Sequence, residues 1–105
     1  MSRSTVLTDT QQRVPFFKLG PSSSISFTDT SAASTNAFAS ETDLIQITAT
    51  EVCFVEIGES PTATSSSHYL PADQTSPPIR VRGGTDKIAV IRDTTNGTLY
   101  ISELQ

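Results

Sequence analysis

Two short apolar runs constrain this chain more than anything else in it. Val52-Cys53-Phe54-Val55-Glu56-Ile57-Gly58 and its later partner Lys87-Ile88-Ala89-Val90-Ile91 are the only dense clusters of large apolar residues. Each has the length of one strand and is rich in β-branched residues, which suit a pleated surface. Nowhere do apolar residues recur at three- and four-residue spacings over the length of a stable helix. In the first run Cys53, Val55 and Ile57 share one face, while Val52, Phe54 and Glu56 share the other. A strand apolar on both faces is central in its sheet or offers one face to another protein, which makes Val52 and Phe54 candidate contact residues.

The composition extends the β reading. Hydrophobic residues make up 35% of the 105 positions, while Ser and Thr together supply about thirty. Thr favours strands and Ser favours loops, and good helix formers are scarce. A chain of this length holds one core, with roughly two-thirds of its unfolded surface hidden on folding. Charged residues at 17% are too few for an acidic disordered chain. Low charge with many hydroxyls suits a protein that works packed against neighbours. The net charge of −4, with seven scattered cations, argues against wrapping nucleic acid, whose binding needs a basic surface.

No run approaches the 18 or so apolar residues of a membrane span, and Met1-Ser2-Arg3-Ser4 does not lead into a signal-type apolar segment. The expectation is a soluble protein made inside the cell. The single cysteine, Cys53, rules out an intramolecular disulfide. Flanked by Val52 and Phe54, it reads as a buried packing thiol.

Residues 1–12 carry two sizeable apolar side chains, Val6 and Leu7, among Ser, Thr, Gln and Asp. They read as an extended N-terminal arm that gains order on a partner, ahead of a single β-domain over residues 13–105. The patch Val14-Pro15-Phe16-Phe17-Lys18-Leu19 allows two readings. As an edge strand it sets Val14 and Phe16 against Phe17 and Leu19, with Pro15 confining it to the sheet edge. As an anchor it docks Phe16 and Phe17 into a groove on another subunit.

Ser22 to Phe27 predicts a strand with Ile25 and Phe27 on one face, and Ile45, Ile47 and Ala49 predict a half-buried one. Thr28 to Thr42, with Phe38 as its one large apolar residue, predicts a long surface loop and a candidate contact surface. Ile79 and Val81 alternate with Arg80 and Arg82 before Gly83-Gly84. Lys87 to Arg92 follows, then Asn96-Gly97 and a last strand with Leu99 and Ile101 inward. This reads as a three-stranded antiparallel meander joined by hairpin turns. About seven or eight short antiparallel strands result, which predicts an all-β chain: a small β-sandwich or jelly-roll-like barrel.

Chemistry is thinly supplied. His68 is the only histidine, and no G-x-S-x-G elbow accompanies the abundant serines. One His and one Cys give no transition-metal spacing, and the acidic residues follow no calcium-loop pattern. Gly83-Gly84 lacks the helix and lysine of a phosphate cradle. No catalytic residue, cofactor, metal or small-molecule substrate is therefore expected. Arg80 and Arg82 form either a solvated face or a surface for an acidic neighbour.

The order of pieces from Asp43 onward carries a resemblance. Ile57-Gly58 is followed by Thr62-Ala63-Thr64, Tyr69-Leu70-Pro71-Ala72, Asp86-Lys87-Ile88-Ala89-Val90-Ile91 and Gly97-Thr98-Leu99-Tyr100-Ile101-Ser102. This stretch of roughly sixty residues resembles small β-rich structural proteins of tailed bacteriophages. The resemblance implies a multi-copy, non-enzymatic virion protein, made in the host bacterial cytoplasm. It would be a capsid decoration or cement subunit that bridges major capsid proteins through its arm and loops. A head-to-tail connector or tail-completion ring is the alternative within the virion. A carbohydrate-binding or adhesive β-module is the alternative of another class. Major capsid protein or another virion protein is the expected partner, and a homo-oligomer, trimer or ring, the expected state. The expected contact residues are Val6, Leu7, Val14, Phe16, Phe17, Phe38, Val52, Phe54, Arg80 and Arg82.

Overall fold

Ile45, Ile47 and Ala49 are buried and the residues between them half-buried in the computed structural model, which describes residues 18–105. The alternation that the sequence shows thus becomes the inward face of a strand. The arm over residues 1–12 and the Val14-Pro15-Phe16-Phe17 patch lie outside the described residues.

Eight antiparallel strands form, with no helix among the described residues: β1 (Leu19–Phe27), β2 (Ala32–Ala33), β3 (Leu44–Ala49), β4 (Cys53–Gly58), β5 (His68–Leu70), β6 (Ile79–Arg80), β7 (Lys87–Arg92) and β8 (Gly97–Leu104). They make two four-stranded sheets, ordered β1-β8-β3-β6 and β2-β7-β4-β5. The pairs β1·β8, β2·β7, β3·β6 and β4·β5 are those of one long hairpin bent at the β4–β5 connection. Rolling that hairpin up also makes neighbours of β3 and β8, and of β4 and β7. The all-β chain is therefore a sandwich with the strand order of a jelly roll.

The two opening runs are paired as expected, with Val55 opposite Val90 and Ile57 opposite Ile88, and β4 is central between β7 and β5. From the first sheet, Phe27, Ile45, Ile47, Leu99 and Ile101 meet Cys53, Val55, Leu70, Ile88 and Val90 from the second. All are buried, and each large one contributes about 1.5–3 kcal/mol before the entropy of ordering is subtracted.

The expected meander does not form. β6 pairs with β3, β7 belongs to the other sheet, and β8 returns to the first. Gly83-Gly84 and Asn96-Gly97 therefore serve crossings between sheets rather than hairpins. The reason lies in loop length and core demand. β7 ends at Arg92 and β8 begins at Gly97, so Asn96-Gly97 stands at the end of the connection and not at the centre of a two-residue turn. Crossing sets Ile88 and Val90 across the core from Leu99 and Ile101, where a hairpin would leave both pairs in one sheet.

Gly83 belongs to the first crossing by necessity. A Cβ there would meet the Ala39 carbonyl oxygen and stand 2.6 Å from Thr42 O and 2.8 Å from Ser40 O. Its neighbour Gly84 has φ of 79°, the left-handed region.

Gly20-Pro21, a turn-like pair in composition, lies within a strand. β1 runs through it, and the register moves from Leu19 opposite Leu104 to Ser22 opposite Ser102, leaving one extra residue on the β1 side. A bulge at a sheet edge is where a residue without an N–H is tolerated.

Candidate functional site

The Thr28–Thr42 segment departs most from expectation. Phe38, expected on a contact surface, is only 4% exposed and belongs to the core. Its N–H donates to Asp86 O at 3.0 Å, and its carbonyl accepts from Gly84 N–H at 2.7 Å. The loop is thereby tied to the β6–β7 crossing, and the one large apolar side chain within it is drawn inward. Phe38 is removed from the contact set.

Behind it, Glu103 and Thr42 are buried together. Thr42 Oγ1 donates to Glu103 Oε1 at 2.6 Å, and the Ala39 N–H donates to the same oxygen at 2.9 Å. The carboxylate fastens the loop to β8. Sequence reasoning missed this pair, because a Glu near a strand end carries no sign of burial.

Arg82 is held within its own crossing. Its Nε and Nη2 donate to Asp86 Oδ1 at 3.2 and 3.0 Å, and its main-chain N–H donates to Asp86 Oδ2 at 2.9 Å. The main-chain bond, opposed by burial and helped by the guanidinium, holds the Asp86 carboxyl below its ordinary range. Arg82 thus answers an acid of its own chain. Arg80 is exposed on β6.

The outer face of the second sheet carries an apolar row. The register sets Ile91, Phe54 and Tyr69 directly opposite one another on β7, β4 and β5. Phe54 and Tyr69 meet edge to face, with ring centroids 5.9 Å apart at 67°. Phe54 is half-buried by this contact and Tyr69 is 61% exposed. Val52, half-buried, immediately precedes β4 and accepts from Asp93 N–H at 3.2 Å. Of the expected contact residues, Phe54 is therefore on an outer face, with Val52 at the head of the same strand.

The outer face of the first sheet is different. Ser24, Tyr100 and Thr48 share one row, and Ser22, Ser102 and Gln46 the next. Ser22, Ser24, Thr48 and Ser102 make this face rich in hydroxyls. Tyr100, at 55% exposed, stands alone on it, and Leu19 is exposed near the start of β1.

A groove runs along the side of the sandwich where β5 and β6 form the sheet edges. Two hollows of about 230 and 480 Å³ share Val55, His68 and Ile79. The smaller extends toward Tyr69, Gln74 and Pro77, the larger toward Glu56, Ile57 and Arg80. The groove exists because both edge strands are short. β5 pairs only with Cys53 to Val55 of β4, and β6 only with Leu44 and Ile45 of β3. On the β3 side the chain returns to seal the edge. Ser76 N–H donates to Ile47 O at 2.9 Å, Ser76 Oγ accepts from Ile47 N–H at 3.1 Å, and Asp73 N–H donates to Ala49 O at 2.8 Å. Among the described residues no such return covers Glu56 to Gly58.

Cys53 is buried and unpaired in a disulfide, and burial pushes its thiol up to about 11. It stays a protonated packing group at neutral pH. His68 is exposed at the groove mouth. Among the described residues no three His, Cys, Asp or Glu side chains converge to hold a metal ion. Val6, Leu7, Val14, Phe16 and Phe17 lie outside the described residues. The signals for Tyr69 and the groove were weak in the sequence, since a groove made where two strands stop has no motif.

Comparison of this chain with protein families, curated proteins and solved structures returns no match.

Proposed function

We propose that this chain is a non-enzymatic virion structural protein, a capsid decoration or cement subunit that bridges major capsid proteins. The observation that supports it most is where the sandwich puts its groups. The thiol is sealed in the core, and the one ion pair among the described residues, between exposed Arg82 and buried Asp86, serves a loop crossing. The surfaces left for work are an apolar row, a hydroxyl-rich face and a groove, which are suited to packing against other chains. Jelly rolls are used by capsid subunits, and also by lectins, so the topology fits the reading without deciding it.

As an arm, residues 1–12 would add reach to such a body, and many weak contacts from repeated copies sum to strong attachment. Deleting residues 1–12 is expected to leave the far-ultraviolet circular dichroism of a folded β-protein and to lower binding to empty shells. Equal binding by the truncated and full chains would contradict the bridging role of the arm.

A second reading, a carbohydrate-binding module, draws on Tyr69, which stands exposed beside a groove that includes His68 and Gln74. An aromatic face next to polar side chains is what a sugar ring uses. Glycan binding abolished by Tyr69→Ala would favour this module over the virion subunit.

A further inference from the structure

We propose that the groove between β5 and β6 seats the Val14-Pro15-Phe16-Phe17 segment of a second copy of this chain. The inference does not rest on the virion reading. Its first support is the groove's chemistry. Val55, Ile57 and Ile79 line it with apolar surface, while His68, Glu56 and Arg80 supply its polar groups.

The second support is an open strand edge beside that apolar surface. The bond from Asp93 N–H to Val52 O makes these two a hydrogen-bonded pair across β7 and β4. Antiparallel alternation then turns the main-chain groups of Cys53, Val55 and Ile57 away from β7 and toward the β5 side. β5 meets Cys53 with Leu70 and Val55 with His68, and there it stops. Ile57 aims its N–H and C=O beyond the end of β5, and none of the loop bonds among the described residues reaches it. An extended peptide laid there gains main-chain bonds and an apolar pocket together, the strand-addition mode of recognition.

The third support identifies the occupant. Residues 1–17 carry five large apolar side chains besides Met1, three of them from Val14 to Phe17, a short apolar segment of the kind an apolar groove takes. Lys18 and Gln105 exchange main-chain bonds of 2.8 Å, which fixes the segment's exit at β1. β1 and β6 are opposite edges of one sheet, three strand spacings or about 14 Å apart. Phe17 and Phe16 are one and two residues from Lys18, about 4 and 7 Å of chain. The groove lies beyond β6, farther from Lys18 than that length of chain spans, so the groove of a neighbouring copy is the one such a segment would enter. Pro15 suits an added edge strand, where one missing N–H is tolerated.

The test mixes two single-substitution full-length chains, F17C and H68C, under mild oxidation. Cys53, buried in the core, does not compete. A mixed disulfide is expected to form at least about tenfold faster than between F17C and S24C chains, because docking raises the effective concentration. Ser24 is exposed on β1, in the row of Tyr100 and Thr48, and serves as the control. In sedimentation equilibrium the native chain is expected to exceed its 11.2 kDa monomer mass, and the double variant F16S/F17S to return to it. Circular dichroism confirms that each variant is folded. Three results would overturn the proposal: monomeric native protein, equal rates with H68C and S24C, or an intramolecular disulfide in the doubly substituted F17C/H68C chain. The last would give the groove to the chain's own segment.

Discussion

Thr42 is a fully buried hydroxyl whose partner, Glu103 Oε1, also receives the Ala39 N–H. A carboxylate in that position depends on its donors, because a buried charged oxygen left short of a partner retains the cost of its desolvation. Thr42→Val keeps the shape and removes one donor. The expected loss is about 1–3 kcal/mol in urea unfolding at neutral pH. An unchanged midpoint would mean that Glu103 finds another donor or water. Phe38 teaches a related lesson at the same scale. Surrounded by Ser, Thr, Ala and Asn, it reads in sequence as a surface residue, yet a lone aromatic in a polar loop has the most to gain from folding inward.

Strands were legible because burial on one face writes a period of two into the sequence, as at Ile45, Ile47 and Ala49 or Leu99 and Ile101. Their connections were less so. Gly83-Gly84 and Asn96-Gly97 have the composition of hairpin turns, and a crossing between sheets needs the same permissive residues. What distinguishes them is tertiary: the Ala39, Ser40 and Thr42 carbonyls crowd Gly83, the Phe38 carbonyl accepts from the Gly84 N–H, and Asp86 organises the crossing by binding Arg82. Asp86 therefore makes an element-scale prediction about pH. Its carboxyl is held below the ordinary range, so its contribution is present above the unfolded value of about 3.9 and is lost as pH falls through the folded value. Asp86→Asn should be less stable than the native chain by a steady amount from pH 5 to 8, with the gap closing below about pH 4. A gap that stays constant into acid would show that the carboxylate's charge contributes nothing to the crossing.

At the scale of the whole molecule, rolling a long hairpin brings β3 beside β8 and β4 beside β7 and leaves β5 and β6 as short outer edges. The fold class followed from composition and alternation, while the working surfaces did not. Phe54 was foreseen from its place opposite Cys53 and Val55, but its row with Tyr69 and Ile91 depends on pairings between segments far apart in the chain. The groove depends on where two strands end. Buried chemistry and surfaces suited to packing support the proposed reading, in which the sandwich would hold contact surfaces in place for assembly. The most direct measurement of the proposed role is a cryo-electron-microscopy map of phage particles purified from cells that make this protein. The account predicts a jelly-roll density in dozens to hundreds of copies, seated across neighbouring major capsid subunits. A ring of six or twelve copies at the neck would move the chain to the connector role, and a particle with no such density would contradict the account.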